Sequence, residues 1–299
     1  MTGTATRTER PRRRWGDRPD GRRLRGLDPI YRMIPFIMPT RIDAHDYFEE
    51  RIDVGPAEAW LRARRASGRG DLGYLHLFVA ALVRTLSQHP RLNRFVGNRR
   101  IYARNEIVIS LAVKPRLAHD SPETVVKMRF PPAATVDEVA AILDAAVAQA
   151  RATPAAGATD RLAKVLAALP DFVLGLAMAL IRLLDRHGAL PAAIHRASPF
   201  HASAFVTDLG SLGIGPIYHH LYEFGTVSLF LAFGRKEREH ALDAAGQVVR
   251  RPWISVKVVN DERICDGHAY AGAFKFMLGL FRHPERLERP PDQVVEDVA

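Results

Sequence analysis

Trp253–Leu287 reads WISVKVVNDERICDGHAYAGAFKFMLGLFRHPERL, and local pattern, helix signals and reactive side chains converge there. Ile254, Val256 and Val258 are β-branched and alternate with Ser255, Lys257 and Val259, the period-two signature of a strand with a buried face. Asn260, Asp261, Glu262 and Arg263 crowd its end, and Asp266-Gly267 follows as a turn signal. A helical pattern then runs through Ala269, Ala273, Phe276, Met277 and Leu280 and stops at Pro284. A strand that delivers charged groups into a turn before a helix sets them on a rigid edge. The plainer reading of the same residues is a solvated turn capped by Asp266.

Asp261 to Gly267, DERICDG, resembles the Asp-His-Arg-x-x-Asp-Gly signature of the 2-oxo acid dehydrogenase acyltransferases, and the related His-x-x-x-Asp-Gly of chloramphenicol acetyltransferases. Where both families have the catalytic histidine, this chain has Glu262. A second block, Phe205-Val206-Thr207-Asp208-Leu209-Gly210, is similar to the Phe-Thr-Ile-Ser-Asn-Leu-Gly segment of the same enzymes. Gly210, Gly213 and Gly215 give a backbone-dense turn, and Val227–Phe233 reads as the next strand. A helix, the Pro90-Arg91-Leu92-Asn93 segment, a hairpin and Leu111-Ala112-Val113 follow one another as in the acyltransferase core.

The resemblance spans about residues 27–285. It implies an α/β fold, the chloramphenicol acetyltransferase-like two-layer sandwich with a mixed β-sheet. It also implies a homotrimer or higher oligomer, with sites between subunits. The family chemistry is acyl transfer between coenzyme A and a thiol or hydroxyl acceptor. Coenzyme A or acyl-CoA is then a substrate, with no tightly bound cofactor and no metal. In that scheme Glu262 stands as base, Thr207 as donor to the oxyanion, and Asp266 as the residue that fixes the turn, with Arg41 as its expected ion-pair partner. Gly210, Ser211 and Arg263 stand as contacts to coenzyme A. Histidine suits the base's task because it titrates near neutrality. A glutamate needs desolvation or a neighbouring negative charge to match it.

Composition limits the alternatives. At 299 residues and 47% hydrophobic, the chain can bury a substantial core. Its single cysteine, Cys265, rules out an intramolecular disulfide and suits a reducing compartment. The longest apolar run, Phe172 to Ile181, is short of a bilayer span, and no apolar segment follows the arginine-rich start as in a signal peptide. A cytoplasmic location is expected, with membrane association as a variant. Of the net charge of +10, residues 1–26 carry +6, with nine arginines. That segment is expected to be a disordered basic tail, able to meet an acidic partner or an anionic membrane. Residues 286–299 read as a C-terminal tail.

Along the chain, the Pro- and aromatic-rich stretch 27–45 reads as an extended arm. Tyr47–Val54 reads as a strand, Pro56–Trp60 as a short helix and Leu72–Ser87 as a core helix. Ile101–Ala103 and Ile107–Val113 flank Arg104-Asn105-Glu106 as a hairpin signal, and Thr124–Phe130 is a further strand. Thr135 and Glu138 fit a capping box at the head of an alanine-rich helix. Residues 162–194 are unusual: apolar side chains nearly encircle Phe172–Leu184. Such a helix is buried against another element or subunit, or lies in a membrane interface.

Three functional readings follow. In the first, Glu262 is the base of an acyltransferase. In the second, His219, His220 or His268 replaces it. In the third, catalysis is lost and the trimer is a binding or assembly module. The chain shows no lipoyl-carrying pattern, so a lipoyl-bearing partner or other acceptor is expected from elsewhere. Cys265 as nucleophile and a metal held by His219, His220 and Glu262 are weaker alternatives. No P-loop is present, and the Gly210, Gly213, Gly215 spacing differs from a dinucleotide fingerprint.

Overall fold

The computed structural model describes residues 14–113, 124–152, 158–242 and 245–297, with side chains left out at 158–161. The strands are β1 (Gly21–Arg23), β2 (His45–Asp53), β3 (Arg94–Gly97), β4 (Arg100–Arg104), β5 (Ile107–Val113), β6 (Thr124–Phe130), β7 (Ala204–Asp208), β8 (Leu229–Leu242) and β9 (Val248–Asp261). The helices are α1 (Pro29–Ile37), α2 (Gly55–Ala66), α3 (Tyr74–Gln88), α4 (Val136–Ala152), α5 (Ala158–Ala167), α6 (Asp171–Arg186), α7 (Ala192–Ala197) and α8 (Gly267–Arg282). Six strands form a mixed sheet in the order β2-β9-β8-β7-β5-β6, and β1-β4-β3 form a small second sheet. β7 runs parallel to both of its neighbours, and the other pairs of the large sheet are antiparallel.

One face of the large sheet carries the helix layer. Leu77, Phe78, Leu82 and Leu86 of α3 are buried with Val256 and Val258 of β9 and Met277 and Phe281 of α8 in one core. Phe78 stacks on Phe233 of β8 with ring centroids 4.1 Å apart. A second, smaller cluster lies on the opposite face, where Phe205, Phe230 and Val259 line up across three neighbouring strands. The two-layer sandwich with a mixed sheet is therefore present. The alternation in β9 follows from it: Ile254, Val256 and Val258 face the helices.

Several expectations need correction. Residues 27–45 are not an extended arm. Pro29 occupies the first turn of α1, and the Asp28 carboxylate caps it by accepting from the Ile30 amide at 3.0 Å. Ile101–Ala103 and Ile107–Val113 do not pair. β4 pairs with β3 through Asn98 and Arg99, whose φ of 47° and 59° suits a tight turn, and β5 enters the large sheet. The helix expected over Pro56–Trp60 continues to Ala66. The capping box at Thr135 is formed: its amide donates to Glu138 Oε2 at 2.8 Å.

The expected tails are partly structured. Residues 1–13 lie outside the described residues, but Gly21–Arg23 form β1, and Arg18 is buried against Asp185 at 2.8 Å. At the other end, Asp297 pairs with Arg94 at 2.6 Å. Helix α6 buries Ile181 and Asp185 but leaves Phe172, Leu176, Leu180 and Leu183 exposed. Its apolar stripe is not covered by any described part of the chain.

Candidate active site

At the end of β9 the chain turns through one 3₁₀ segment, Glu262–Ile264, before α8. Asp261 is fully buried and accepts three hydrogen bonds from Arg263, from Nε and Nη2 each at 2.8 Å and from the backbone amide at 3.2 Å. Arg263 Nη1 donates to the Met38 carbonyl at 3.1 Å, so this guanidinium is a strut between strand end and α1. Glu262, between these two buried residues, is exposed, and nothing among the described residues engages its carboxylate.

Asp266 caps α8 by accepting from the Ala269 amide at 2.7 Å and receives the Tyr31 hydroxyl at 2.7 Å. The Tyr31 hydrogen bond is the main cause of a lowered Asp266 carboxyl, and the same bond pushes the Tyr31 hydroxyl up to about 12. Arg41 is not its partner. Arg41 donates to the Tyr222, Glu223 and Gly225 carbonyls, with its Nε 3.9 Å from Asp261. The reason is register: β2 begins opposite Asp261, so the residues just before it lie beside the strand end and not beside the helix cap. Burial pushes the neighbouring Cys265 thiol up to about 12, which keeps it protonated and unreactive.

Thr207 lies on β7, buried on the face of Phe205 and opposite the helix layer. Its register partner is Ala232, whose partner on β9 is Lys257. Glu262 lies five residues further along and two strands across from Thr207, a separation of roughly 19 Å at ordinary strand spacings. One chain therefore does not bring the two together. Beyond β7, Gly210 packs so tightly that a Cβ would stand 2.6 Å from the Gly234 carbonyl oxygen, and Gly213 takes φ +76°. The Ser211 hydroxyl donates to the Asp208 carbonyl at 2.8 Å, so it braces this turn.

The histidine pair does come to the Glu262 end of the sheet. His219 stacks on Phe230 at 4.1 Å, in the cross-strand row that contains Val259. Burial, with the charge of His220, lowers the His219 imidazole below its ordinary value, and its Nε2 is buried without a hydrogen-bond partner. His220 is exposed and meets Tyr222 edge to face at 5.0 Å. His268 is exposed in the first turn of α8. Among the described residues no three His, Cys, Asp or Glu side chains converge as metal ligands.

Two features escaped the sequence reading. His45 is the register partner of Asp261; its Nε2 accepts from the Leu221 amide at 3.2 Å, leaving Nδ1 to donate to the Tyr47 hydroxyl at 2.8 Å. It pins the histidine loop to β2. Second, Ser198, His201 and Asp185 form a serine–histidine–aspartate array, with Oγ to Nδ1 at 2.8 Å and Nε2 to Oδ1 at 3.1 Å. All three are buried, so no substrate reaches the hydroxyl; the array fastens α6 to the segment before β7.

No family model and no curated protein matches the chain. Its fold matches solved structures. The probable dihydrolipoamide acetyltransferase of Listeria monocytogenes superposes with a TM-score of 0.57 at 14% identity, over 92% of this chain and 99% of that one. The dihydrolipoamide acetyltransferase of Azotobacter vinelandii, studied for the roles of a serine, a histidine and an asparagine in its mechanism, gives 0.55 at 15%, over 88% and 94%. A subunit of the cubic core of a pyruvate dehydrogenase multienzyme complex gives 0.51 at 15%, also over 88% and 94%. The fold is that of the 2-oxo acid dehydrogenase acyltransferases, the chloramphenicol acetyltransferase-like sandwich.

Proposed function

We propose that the chain is a coenzyme A-dependent acyltransferase that works as a homotrimer or higher oligomer. Glu262 of one copy and Thr207 of a neighbouring copy share each site. The observation that carries this reading is the free Glu262 carboxylate. It is the one unengaged charge in a turn otherwise locked by Asp261, Arg263 and Asp266, at the position that matches the catalytic histidine of the acyltransferase motif. A neighbouring copy packed over it would supply the desolvation that raises a carboxylate's basicity.

The step is a balanced exchange. Glu262 takes the proton of an acceptor thiol or hydroxyl, and the acceptor's sulfur or oxygen attacks the thioester carbonyl. The Thr207 hydroxyl donates to the resulting oxyanion. Collapse of the tetrahedral intermediate breaks the carbon–sulfur bond, and the departing coenzyme A thiolate receives the proton from Glu262. Gly210 would bring backbone close to the substrate, while the Ser211 side chain holds the turn. The acceptor is a lipoyl group or a small molecule.

A second reading rests on His219. Burial lowers its imidazole, and its Nε2 is unpartnered beside the same strand end but sealed from solvent, so it would serve as the base only where movement of the 219–220 loop opens it to the acceptor. The deciding experiment follows release of free coenzyme A from short and long acyl thioesters, with dihydrolipoamide as acceptor. Loss of turnover in Glu262→Gln with retention in His219→Gln supports the first reading; the reverse supports the second. A folded oligomer that turns over no donor favours a binding or assembly module.

A further inference from the structure

Two exposed apolar stripes flank a basic cavity. On α6, Phe172, Leu176, Leu180 and Leu183 form one line, and Phe172 is 79% exposed. On α1, Ile30, Met33, Phe36 and Ile37 form another, with Phe36 61% exposed. The tip of the β3–β4 hairpin touches both helices. The Arg99 guanidinium lies 5.5 Å from the centre of the Phe36 ring, and Asn98 Oδ1 accepts from Arg186 Nε at 3.0 Å. Under this tip is a cavity of about 350 Å³ rimmed by Arg99, Arg182 and Arg186.

The cavity's carboxylates are already used. Asp185 pairs with Arg18 and His201, and Glu223 accepts from the backbone amides of Arg41 and Ile42. The rim is thus net positive beside apolar side chains. A second copy of a chain with net charge +10 brings a poor counter-charge to it. Lipid phosphates beside acyl chains match both halves of the pattern, because arginine side chains reach phosphates while their neighbours sit among hydrocarbon. We propose that this face docks on an anionic phospholipid surface, with α1 and α6 lying in the interfacial plane and lipid phosphates held over Arg99, Arg182 and Arg186.

The test sediments the full chain with vesicles of phosphatidylcholine alone and with added phosphatidylglycerol, at low and high salt, while light scattering gives its mass. The variants are Leu176→Asp with Leu180→Asp, and Arg182→Glu with Arg186→Glu. Every variant retains residues 1–13, so a loss of binding reports on this face. The anionic vesicles are expected to bind the chain and the neutral ones not, binding is expected to fall with salt, and each double variant is expected to weaken it about tenfold or more. Absence of binding by the unaltered chain overturns the proposal, as does binding by both variants at its level, which would assign attachment to the basic terminus. A drop in mass in the leucine variant also overturns it, because the stripe would then lie between copies. Leu176→Ser with Leu180→Ser gives the same readouts should aspartate disturb the helix.

Discussion

The Tyr31 hydroxyl donates to Asp266 Oδ2 at 2.7 Å, tying α1 to the cap of α8 across 235 residues of sequence. Arg91 adds a weaker contact at 3.6 Å. Tyr31→Phe removes the hydrogen bond and leaves the ring. Because Asp266 is partly exposed, the expected cost is about 1 kcal/mol, below the usual range for a bond to a charged group. Asp266→Ala loses the helix cap as well, at roughly 1–2 kcal/mol. The Asp266 carboxyl is lowered in the folded state, so the stability it contributes is present above its unfolded titration and is lost as pH falls through its folded value. Urea denaturation of both variants and the double variant, at pH 7 and in acid, checks this. Additive effects would show that the two residues do not act together.

Asp261 and Arg263 behave differently because both are sealed from water. Arg263→Ala leaves the Asp261 carboxylate buried without its bidentate partner, and Arg41 stands too far off to replace it. The expected loss is about 3–5 kcal/mol, far above that of an exposed pair. Asp261→Asn with Arg263→Met, which removes both charges, should recover much of it. The measurement is the urea midpoint of all three chains. A small loss in the single variant would mean that water enters the strand end.

Much of the candidate site was legible because it is local. β9, its turn and α8 are adjacent in sequence, and their alternation and cap can be read without knowing what pairs with what. The errors were in pairing and in proline context. Arg104-Asn105-Glu106 looked like a hairpin turn, but the hairpin closes through Asn98 and Arg99, neither of them glycine, and Ile107 opens a strand of another sheet. Pro29 and Pro35 suggested an extended arm, yet one sits in the first helical turn, where its missing amide costs nothing, and the helix tolerates the other. His45 gave no signal at all, since its importance comes from standing opposite Asp261 across 216 residues.

The buried group around Asp185 predicts acid lability. Burial alone would raise the Asp185 carboxyl, but the hydrogen bond from His201 and the charge of Arg18 hold it at about 2. Burial also lowers the His201 imidazole. A histidine kept neutral in the folded state makes unfolding more favourable as pH falls through its unfolded value, about 6.5. The aspartate's contribution, present above an unfolded value of about 4, is lost between there and about 2. Stability should therefore decline in two stages below neutrality. His201→Gln should shrink the first stage in a thermal-denaturation series against pH, the remainder coming from His45, His89 and His219, which burial also lowers; a series that is flat from pH 7 to 5 in the parent chain would contradict the assignment.

The separation of Thr207 and Glu262 within one chain makes the shared site testable without a solved oligomer. Glu262→Gln removes the proposed base, and Thr207→Val removes a hydroxyl at nearly constant volume, with an expected fall in turnover of about 100- to 1,000-fold. Each homogeneous variant is then inactive for a different reason. Mixed oligomers behave otherwise: wherever a Thr207→Val copy presents its intact Glu262 to a Glu262→Gln copy that presents its intact Thr207, a complete site is restored. With random assembly and equal amounts, about one quarter of the interfaces have both groups, so about one quarter of parental turnover should return on co-refolding. Restoration requires exchange of subunits, which differently tagged chains recovered together would confirm. If the mixed oligomers form and stay as inactive as their parents, the two residues do not share a site across copies, and the acyl-transfer scheme must find its oxyanion donor elsewhere.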